Sequence, residues 1–489
     1  MIGFIYYLAA LGAILSGSAL LPSLIAFGAG ETQLGFQILL YGFLGGFLCL
    51  SVLLAISGRP VGIERRSAAL LVVVSWIIFP VLVAIPLADL TDLSFLEALF
   101  QSASSFTTTG SLVFGNPEIV PRSIMFFLAQ LQWMGGLATL ITFILVLSPW
   151  EIGGLPKIGS VSDAASIIAS EYRLVKFCGR LFRGMLLLTL LCFVLLLLAA
   201  VPAYEAAILS FTALSTGGIL PVEDGLDLML GDAGMIIMAF FLLTGATSIF
   251  WQRHLVSLRF SELIQHRESY FVIAVWFALS IVLAYRLMES SGVIGSGISL
   301  HSVAEGMMNA ASVVSTSGIQ TRPGVFALLV PSLVLLLVLM GGGCFSTAGG
   351  LKYFRIGGVF SHSQHELNRL IYPSSVPPKS FGGTELSVEF MKGIWGFFSI
   401  WLVTLGLFTF MMTLSGLNFQ SGFTVIVAAL SNAGPIYGSF WDVANAESWP
   451  AYADMNGLQL GVLTFAMIIG RLEIIVLFAS LALVFRIFR

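Results

Sequence analysis

The chain has 489 residues, of which 58% are hydrophobic and only 10% are charged, and its formal net charge is −3. Soluble domains carry about 25% charged residues, so this composition excludes an ordinary soluble protein. A helix needs roughly 20 apolar residues to cross a bilayer, and the sequence contains many such runs. The composition therefore predicts an all-α membrane protein.

The N-terminal stretch Met1 to Gly30 is apolar, lacks a preceding basic region and is longer than the core of a signal peptide, which predicts a retained first span. Hydrophobicity predicts ten spans in all: 4–28, 37–57, 68–90, 123–148, 182–202, 233–252, 270–288, 325–358, 393–416 and 457–485. Four shorter stretches, rich in small and hydroxyl residues, lie between them: 94–109, 203–216, 301–317 and 420–433. Each suits a half-helix that enters the membrane and returns as a loop.

The basic residues fix the expected orientation. With the N-terminus in the cytoplasm, one set of loops holds nearly all Lys and Arg residues, and the other holds only Arg122, Arg286 and Arg322. The positive-inside rule then predicts both termini in the cytoplasm and all four half-helices entering from outside. The outer loops are acidic, which either raises the local cation concentration or only reflects the basic inner face.

Several kinds of site are not expected. The four cysteines form no C-x-x-C pair, and the five histidines show no metal-ligand spacing. The glycine-rich segment 341–350 lacks the G-K-[ST] ending of a nucleotide-binding loop. We therefore expect no cofactor and no nucleic-acid partner. Because no reactive side chains cluster, we also expect no enzymatic activity.

The four short stretches end in similar glycine-containing sequences. The predicted site residues are Thr108, Thr109 and Gly110, then Ser215, Thr216 and Gly217, then Thr316, Ser317 and Gly318, and finally Asn432, Ala433 and Gly434. Aligned on these glycines, the chain repeats a unit of span, half-helix, loop and span. The predicted units are 61–150, 151–262, 263–365 and 366–489, after two extra N-terminal transmembrane helices in 1–60. Glu97, Glu205, Glu305 and Ser421 are expected to cap the half-helices.

Four such loops around one central pore could form a selectivity filter. A cation crossing a bilayer must exchange its hydration shell for other oxygens, and a row of backbone carbonyls supplies them. Glycine adopts the unusual φ values that such a backbone needs. The competing interpretation is that each cluster is a small-residue helix-packing motif, but packing does not require four clusters in register.

The span 325–358 contains Gly341, Gly342, Gly343, Ser346, Thr347, Gly349 and Gly350. Each glycine inside a helix costs about 0.5–1 kcal/mol relative to alanine. The segment is therefore predicted to break into a helix, a flexible loop below the filter, and a second helix. Such a loop could act as a gate, and a glycine-rich packing surface is the alternative.

Arg471 lies in the middle of a span, where a charge is costly and usually functional. We expect it to face the pore and contact the carbonyls of the glycine loop, with a structural ion pair to another helix as the alternative. Lys352 and Arg355 are interpreted as anchors on the basic inner face.

The Thr-Thr-Thr-Gly, Ser-Thr-Gly-Gly, Ser-Thr-Ser-Gly and Asn-Ala-Gly-Pro series resembles the filter loops of the Trk/Ktr/HKT potassium transporter superfamily. So do the segments Gln132-Trp133-Met134-Gly135-Gly136 and Gly470-Arg471-Leu472-Glu473. The resemblance covers essentially the whole chain, and the two extra N-terminal spans resemble the bacterial TrkH branch. It implies potassium uptake across the bacterial cytoplasmic (inner) membrane, with potassium at the filter loops and a gate at the glycine-rich segment.

The resemblance also implies partners: a second copy in a homodimer, and a TrkA-like cytoplasmic ring of nucleotide-binding regulatory subunits. In the family a glycine in the first loop accompanies potassium preference and a serine accompanies sodium, so Gly110 implies potassium. A sodium-conducting relative and a broken-helix transporter of another solute remain alternatives. Channel-like conduction and proton- or sodium-coupled symport both stay open.

Overall fold

The computed structural model describes residues 2–59, 65–148, 154–156, 170–222, 224–256, 263, 266–292, 299–372, 380–381, 384–385, 387–443 and 449–472. These residues are overwhelmingly helical, as the composition predicts. Their α-helices, numbered in chain order, are α1 Ile2–Gly17, α2 Leu20–Gly28, α3 Thr32–Ile56, α4 Arg65–Leu90, α5 Phe95–Phe106, α6 Arg122–Thr142, α7 Glu171–Leu198, α8 Ala203–Ser215, α9 Leu226–Ala246, α10 Ile249–Val256, α11 Arg267–Ser290, α12 Leu300–Val314, α13 Pro331–Met340, α14 Tyr353–Ile371, α15 Val388–Leu414, α16 Phe419–Leu430 and α17 Gly457–Leu472.

Short irregular turns extend or join some of these helices. A π-helical turn, Phe143–Leu147, continues α6, and 3-10 turns occupy Phe326–Leu328, Gly434–Val443 and Tyr452–Asp454. Within the described residues, strands occur only as a two-residue antiparallel pair, β1 Ser380–Phe381 with β2 Thr384–Glu385.

Eight helical segments in the described part are long and apolar enough to cross a membrane: Ile2–Gly28, Thr32–Ile56, Ser67–Leu90, Arg122–Leu147, Glu171–Leu198, Leu226–Ala246, Arg267–Ser290 and Phe390–Leu414. The protein is therefore a multi-pass membrane protein. The other two predicted spans contain no described helix of this kind. The segment 325–358 is broken, as its glycines predict, and the last span is described only as Gly457–Leu472, with 473–485 outside the described residues.

Two boundaries differ from the hydropathy-based prediction for physical reasons. Helix α7 begins at Glu171 rather than 182, because its first turns carry Arg173 and Lys176, which lower hydropathy without preventing a helix. Helix α9 ends at Ala246, and Thr247, in an extended conformation, separates it from α10.

The four short helices α5, α8, α12 and α16 lie in the four stretches predicted as half-helices. Each packs against the long helix before it: α4, α7, α11 and α15 respectively. Contacts between successive parts of the chain then run in a closed circle, from α6 to α8, α9 to α12, α13 to α16, and α17 back to α5. This circle brings the C-terminal ends of the short helices together.

Burial separates an inner layer from an outer one. Nearly every residue from Ala98 to Ser111 is buried, as is the last part of each other short helix. The long helices instead expose large apolar side chains, such as Phe43 at 70% and Val403 at 70%. Because lipid is apolar, exposed side chains of this kind suit a bilayer-facing surface.

The capping prediction holds at one helix and is wrong at two others. Glu97 forms a capping box with Ser94 at the start of α5. The α16 cap is Asn418, which accepts the Ser421 N–H at 2.7 Å, so Ser421 receives the cap rather than providing it. The α12 cap is Ser299, and Glu305 lies too far inside that helix to cap it.

Candidate cation site

The four short helices end in bends of one shared conformation. A non-glycine residue occupies the left-handed region of backbone conformation at the same point in each bend: Thr108 at φ 59°, Thr216 at 51°, Thr316 at 60° and Asn432 at 51°. Such φ values are strained for threonine and persist only where the surroundings impose them. Three strained threonines, together with Asn432, whose side chain tolerates this conformation better, indicate a functional constraint on this backbone.

The same hydrogen bonds close each bend. The amide after the strained residue donates to the carbonyl five residues earlier, from Thr109 to Ser104, Gly217 to Thr212, Ser317 to Ser312 and Ala433 to Ala428. In the first three bends, a helix hydroxyl then donates to the carbonyl seven residues later. The three bonds are Ser104 to Ser111 at 2.8 Å, Thr212 to Ile219 at 2.8 Å and Ser312 to Ile319 at 2.6 Å.

This hydrogen-bond register corrects the alignment of the second bend by one residue. Gly217 corresponds to Thr109, and Gly218 is the counterpart of Gly110. Ser215 is the last residue of α8, and its hydroxyl donates back to the Phe211 carbonyl at 2.8 Å. Sequence reasoning therefore missed Gly218. The hydroxyl six residues before each of the first three glycines could have identified it.

The four bends meet one another. A Cβ atom on Gly110 would overlap the Gly218 backbone, and one on Gly218 would overlap the Pro435 ring. A Cβ on Gly318 would come within 2.9 Å of the Ile436 amide nitrogen. The circle closes where the Gly434 N–H donates to the Thr109 carbonyl at 2.8 Å. Only glycine permits this closeness at Gly110, Gly218, Gly318 and Gly434.

The helices behind the bends also approach closely through glycine. A Cβ on Gly135 of α6 would overlap the Phe106 carbonyl at the end of α5, and one on Gly470 of α17 would overlap the Leu430 carbonyl at the end of α16. The Gln132 amide lies directly behind Gly217. Both segments that carry the family resemblance thus pack against the bends.

The glycine-rich segment between α13 and α14 lies against the ends of the short helices. The Thr347 hydroxyl donates to the Leu214 carbonyl at 2.9 Å, and the Gly349 N–H donates to the Thr316 hydroxyl at 2.7 Å. A Cβ on Gly349 would overlap the Ser431 carbonyl. The break predicted from the glycines is therefore present, and the resulting loop is buried beneath the second, third and fourth bends.

Arg471 joins this loop to the first bend. Its Nη2 atom donates to the Thr108 hydroxyl and to the Thr347 carbonyl, both at 2.5 Å, and the side chain is 2% exposed. The expected contact with a loop carbonyl is therefore present. Glu473, the last residue of the segment that resembles the family, lies outside the described residues.

Lys352 and Arg355 are not the exposed anchors that were expected. They are 2% and 0% exposed, and they line a small cavity with Arg471 below the loop. The Lys352 ammonium donates to the Ala348 carbonyl, and the Arg355 guanidinium stacks on the Phe397 ring at 3.9 Å. Carbonyl oxygens and aromatic faces thus surround these charges.

The arrangement favours a cation on the side of the bends away from Arg471. A helix C-terminus carries a partial negative charge, and four such ends converge here. Backbone and hydroxyl oxygens at the bends match the ligands that alkali-metal ions prefer. The fold is that of an integral membrane protein, and the four bends are its candidate cation site.

Comparison with known proteins gives the family. A family model described as "Cation transport protein" (TrkH) matches residues 47–487, so the chain belongs to the TrkH family. The Trk system potassium uptake proteins TrkH of Salmonella typhimurium and of Escherichia coli K12 are each 27% identical to it, over 95% of both chains. An uncharacterized cation transporter of Methanocaldococcus jannaschii is 26% identical over 86% of this chain and 84% of its own.

The fold is also that of a solved structure. The crystal structure of the potassium transporter TrkH from Vibrio parahaemolyticus superposes with a TM-score of 0.82 at 24% identity, covering 98% of each chain. The predicted family is confirmed. Membership in a transport family also confirms the prediction that the chain is not an enzyme.

Proposed function

We propose that this protein carries potassium across the bacterial cytoplasmic membrane through a pore lined by its four glycine bends. The Salmonella typhimurium and Escherichia coli relatives named above are potassium uptake proteins, which supports potassium as the ion. In this proposal the chain forms four pseudo-repeated units around one pore, after two extra N-terminal helices. The carbonyls of Thr109, Gly217, Ser317 and Ala433 and of the glycines that follow replace the ion's water.

One observation carries the proposal: four bends with one backbone conformation and one hydrogen-bond register meet in a closed circle. Helix packing alone needs small residues at contacts, but it does not need the same strained φ at four equivalent positions. Irregular backbone at membrane depth is tolerated where it lines a wet cavity or is buried in protein. The bends are buried in protein, and four bends in one register are what an ion path lined by all of them requires.

The loop 341–352 is proposed to be the gate of this pore, with Arg471 as its latch on the first bend. A loop hydrogen-bonded to several bends at once would block an ion leaving them, and a buried guanidinium below would repel it. Opening would require the loop to exchange these hydrogen bonds for others.

An orientation and two partners belong to the proposal. Both termini are proposed to lie in the cytoplasm, with the acidic loops outside, on the basis of the basic-residue distribution. The family resemblance supports a homodimer and a TrkA-like nucleotide-binding regulatory subunit on the cytoplasmic side. Whether flux is channel-like or coupled as symport does not alter the role proposed for the bends.

The test is rubidium uptake by potassium-starved cells that lack their own uptake systems. Wild type is expected to restore uptake, whereas Gly318→Asp and Gly217→Asp abolish it, because a side chain at either position displaces neighbouring bends or Gln132. Gly115→Asp is the matched control, since a Cβ there meets nothing within 4 Å. Normal uptake by both filter variants, at equal amounts in the membrane, contradicts the proposal.

A further inference from the structure

An acidic side chain on α11 binds both the loop 341–352 and the first turn of the helix that follows it. Glu268 is the second residue of α11, and its Oε1 atom accepts the Cys344 N–H at 2.7 Å and the Phe354 N–H at 3.1 Å. Cys344 belongs to the loop, and Phe354 lies in the first turn of α14. One oxygen atom thus ties the loop to the helix that follows it.

The chemistry of these two bonds is favourable. The first amides of a helix have no partner within the helix, and an anion there is stabilised by the helix dipole. A carboxyl oxygen carries two lone pairs, so the Oε1 atom can accept both amides at once.

The position of Glu268 needs an explanation. An acid in the first turn of a helix is favoured by the dipole of its own helix, but the Glu268 carboxyl group instead accepts amides from the loop and from α14. The contacts with the bends described above hold the loop on one side, and Glu268 holds it on another. Releasing the loop requires both sets of bonds to break.

We propose that Glu268 is a positioning residue that latches the loop 341–352 in its closed position. This inference rests on the proposed gate, and it adds a second attachment that a regulator could release. The acceptor oxygen at this position, rather than the packing of α11, is what holds the loop.

Ser346 provides a readout of loop position, because it is buried in the loop at 1% exposure. The substitution Ser346→Cys would be made in the full-length protein with Cys49, Cys178, Cys192 and Cys344 changed to Ala, and the purified protein would be treated with a small methanethiosulfonate. Cys344 itself is unsuitable, because its thiol contacts the Glu268 carboxyl group. Glu268→Ala is expected to raise the labelling rate at position 346 by about tenfold or more, the effect of losing two hydrogen bonds of about 0.5–1.5 kcal/mol each. Rubidium flux into liposomes should rise with it.

Two variants control for charge and for local structure. Glu268→Gln keeps an Oε1 acceptor for both amides and is expected to label more slowly than Glu268→Ala. Arg267→Ala changes the charge at the exposed preceding position and is expected to match the parent. If Glu268→Ala does not fold, Glu268→Asp replaces it, because its shorter side chain cannot span both amides.

The outcomes separate the latch from the gate. Parental labelling and flux in Glu268→Ala overturn the latch, and so does a Glu268→Gln protein that labels as fast as Glu268→Ala. A variant with the segment 341–350 shortened is the independent test of the gate. Raised flux in that variant alone leaves the gate standing without the latch, whereas unchanged flux in both variants refutes both.

Discussion

The Arg322 Nε atom lies 2.7 Å from the Glu305 Oε1 atom and ties the chain just beyond the third bend to the helix that leads into it. The Glu305 side chain is 1% exposed and that of Arg322 is 45% exposed. Thr321 donates to the same carboxylate oxygen at 3.0 Å. The pair therefore fixes both ends of the third bend from behind.

Removing either partner should damage the third bend. Glu305→Ala or Arg322→Ala is expected to lower rubidium uptake several-fold and to lower the melting temperature. Breaking a fully buried ion pair lowers the free energy of unfolding by about 3–5 kcal/mol. Because Arg322 is partly exposed, we expect a loss of about 3 kcal/mol or less. Thermal unfolding and uptake measured on the same preparations provide the check.

An exposed pair elsewhere supplies the control for this prediction. Arg286 and Glu289 lie 2.8 Å apart with side chains 46% and 47% exposed. Exposed pairs contribute about 0–1 kcal/mol, so Glu289→Ala should leave uptake and melting nearly unchanged. Equal losses from Glu289→Ala and Glu305→Ala would show that the buried pair has no special role.

Arg471 should restrain the closed loop. Arg471→Ala removes the donor to Thr108 and Thr347 and a positive charge from the exit of the bends. We expect basal rubidium flux in liposomes to rise by about tenfold or more, because hydrogen bonds from a charged donor are worth about 1.5–3 kcal/mol. Flux at or below the wild-type value would rule out this restraint.

Gly110 should determine the preference between ions. At this position φ is +75°, and a Cβ would overlap the Gly218 backbone, so Gly110→Ser must separate the first and second bends. A wider ring fits potassium less well, and the potassium-to-sodium flux ratio is expected to fall several-fold. Gly115→Ser is the control, and an unaltered ratio in Gly110→Ser would argue against carbonyl selection.

Two glycine-to-alanine changes should shift stability in opposite directions. Gly135→Ala places a Cβ onto the Phe106 carbonyl, an overpacked contact expected to cost about 1–3 kcal/mol. Gly396 lies inside α15 with nothing within 4 Å of its Cβ position, so Gly396→Ala should stabilise by up to about 1 kcal/mol. The melting temperatures of the two purified variants are compared with that of the wild type. A melting temperature of Gly135→Ala above the wild-type value would contradict the close approach of Gly135 to the Phe106 carbonyl.

Hydropathy predicted most of the long helices because a bilayer imposes a length and an apolar surface on each span. It placed the start of α7 too late, because Arg173 and Lys176 lower the average hydropathy although the helix already begins at Glu171. It could not foresee that Lys352 and Arg355 are buried, because their partners, such as the Ala348 carbonyl and the Phe397 ring, come from the folded loop and from another helix.

The positions of the four bends could be predicted from the sequence, but the residue-by-residue alignment of the second bend with the others could not. Glycine and hydroxyl residues marked all four bends, but the adjacent Gly217 and Gly218 left the second bend ambiguous by one residue. The bond from Thr212 to Ile219 resolves it. Glu305 was assigned to a helix cap from its spacing alone, since its partner Arg322 lies across the bend.

The most direct test of the carbonyl ring is the location of a bound ion. A crystal of the full-length protein grown in rubidium would give an anomalous difference map. The account predicts a peak where the four bends meet, within coordination distance of backbone oxygens from Gly110, Gly218, Gly318 and Gly434. Strong rubidium peaks elsewhere in the protein, with none among the bends, would contradict it.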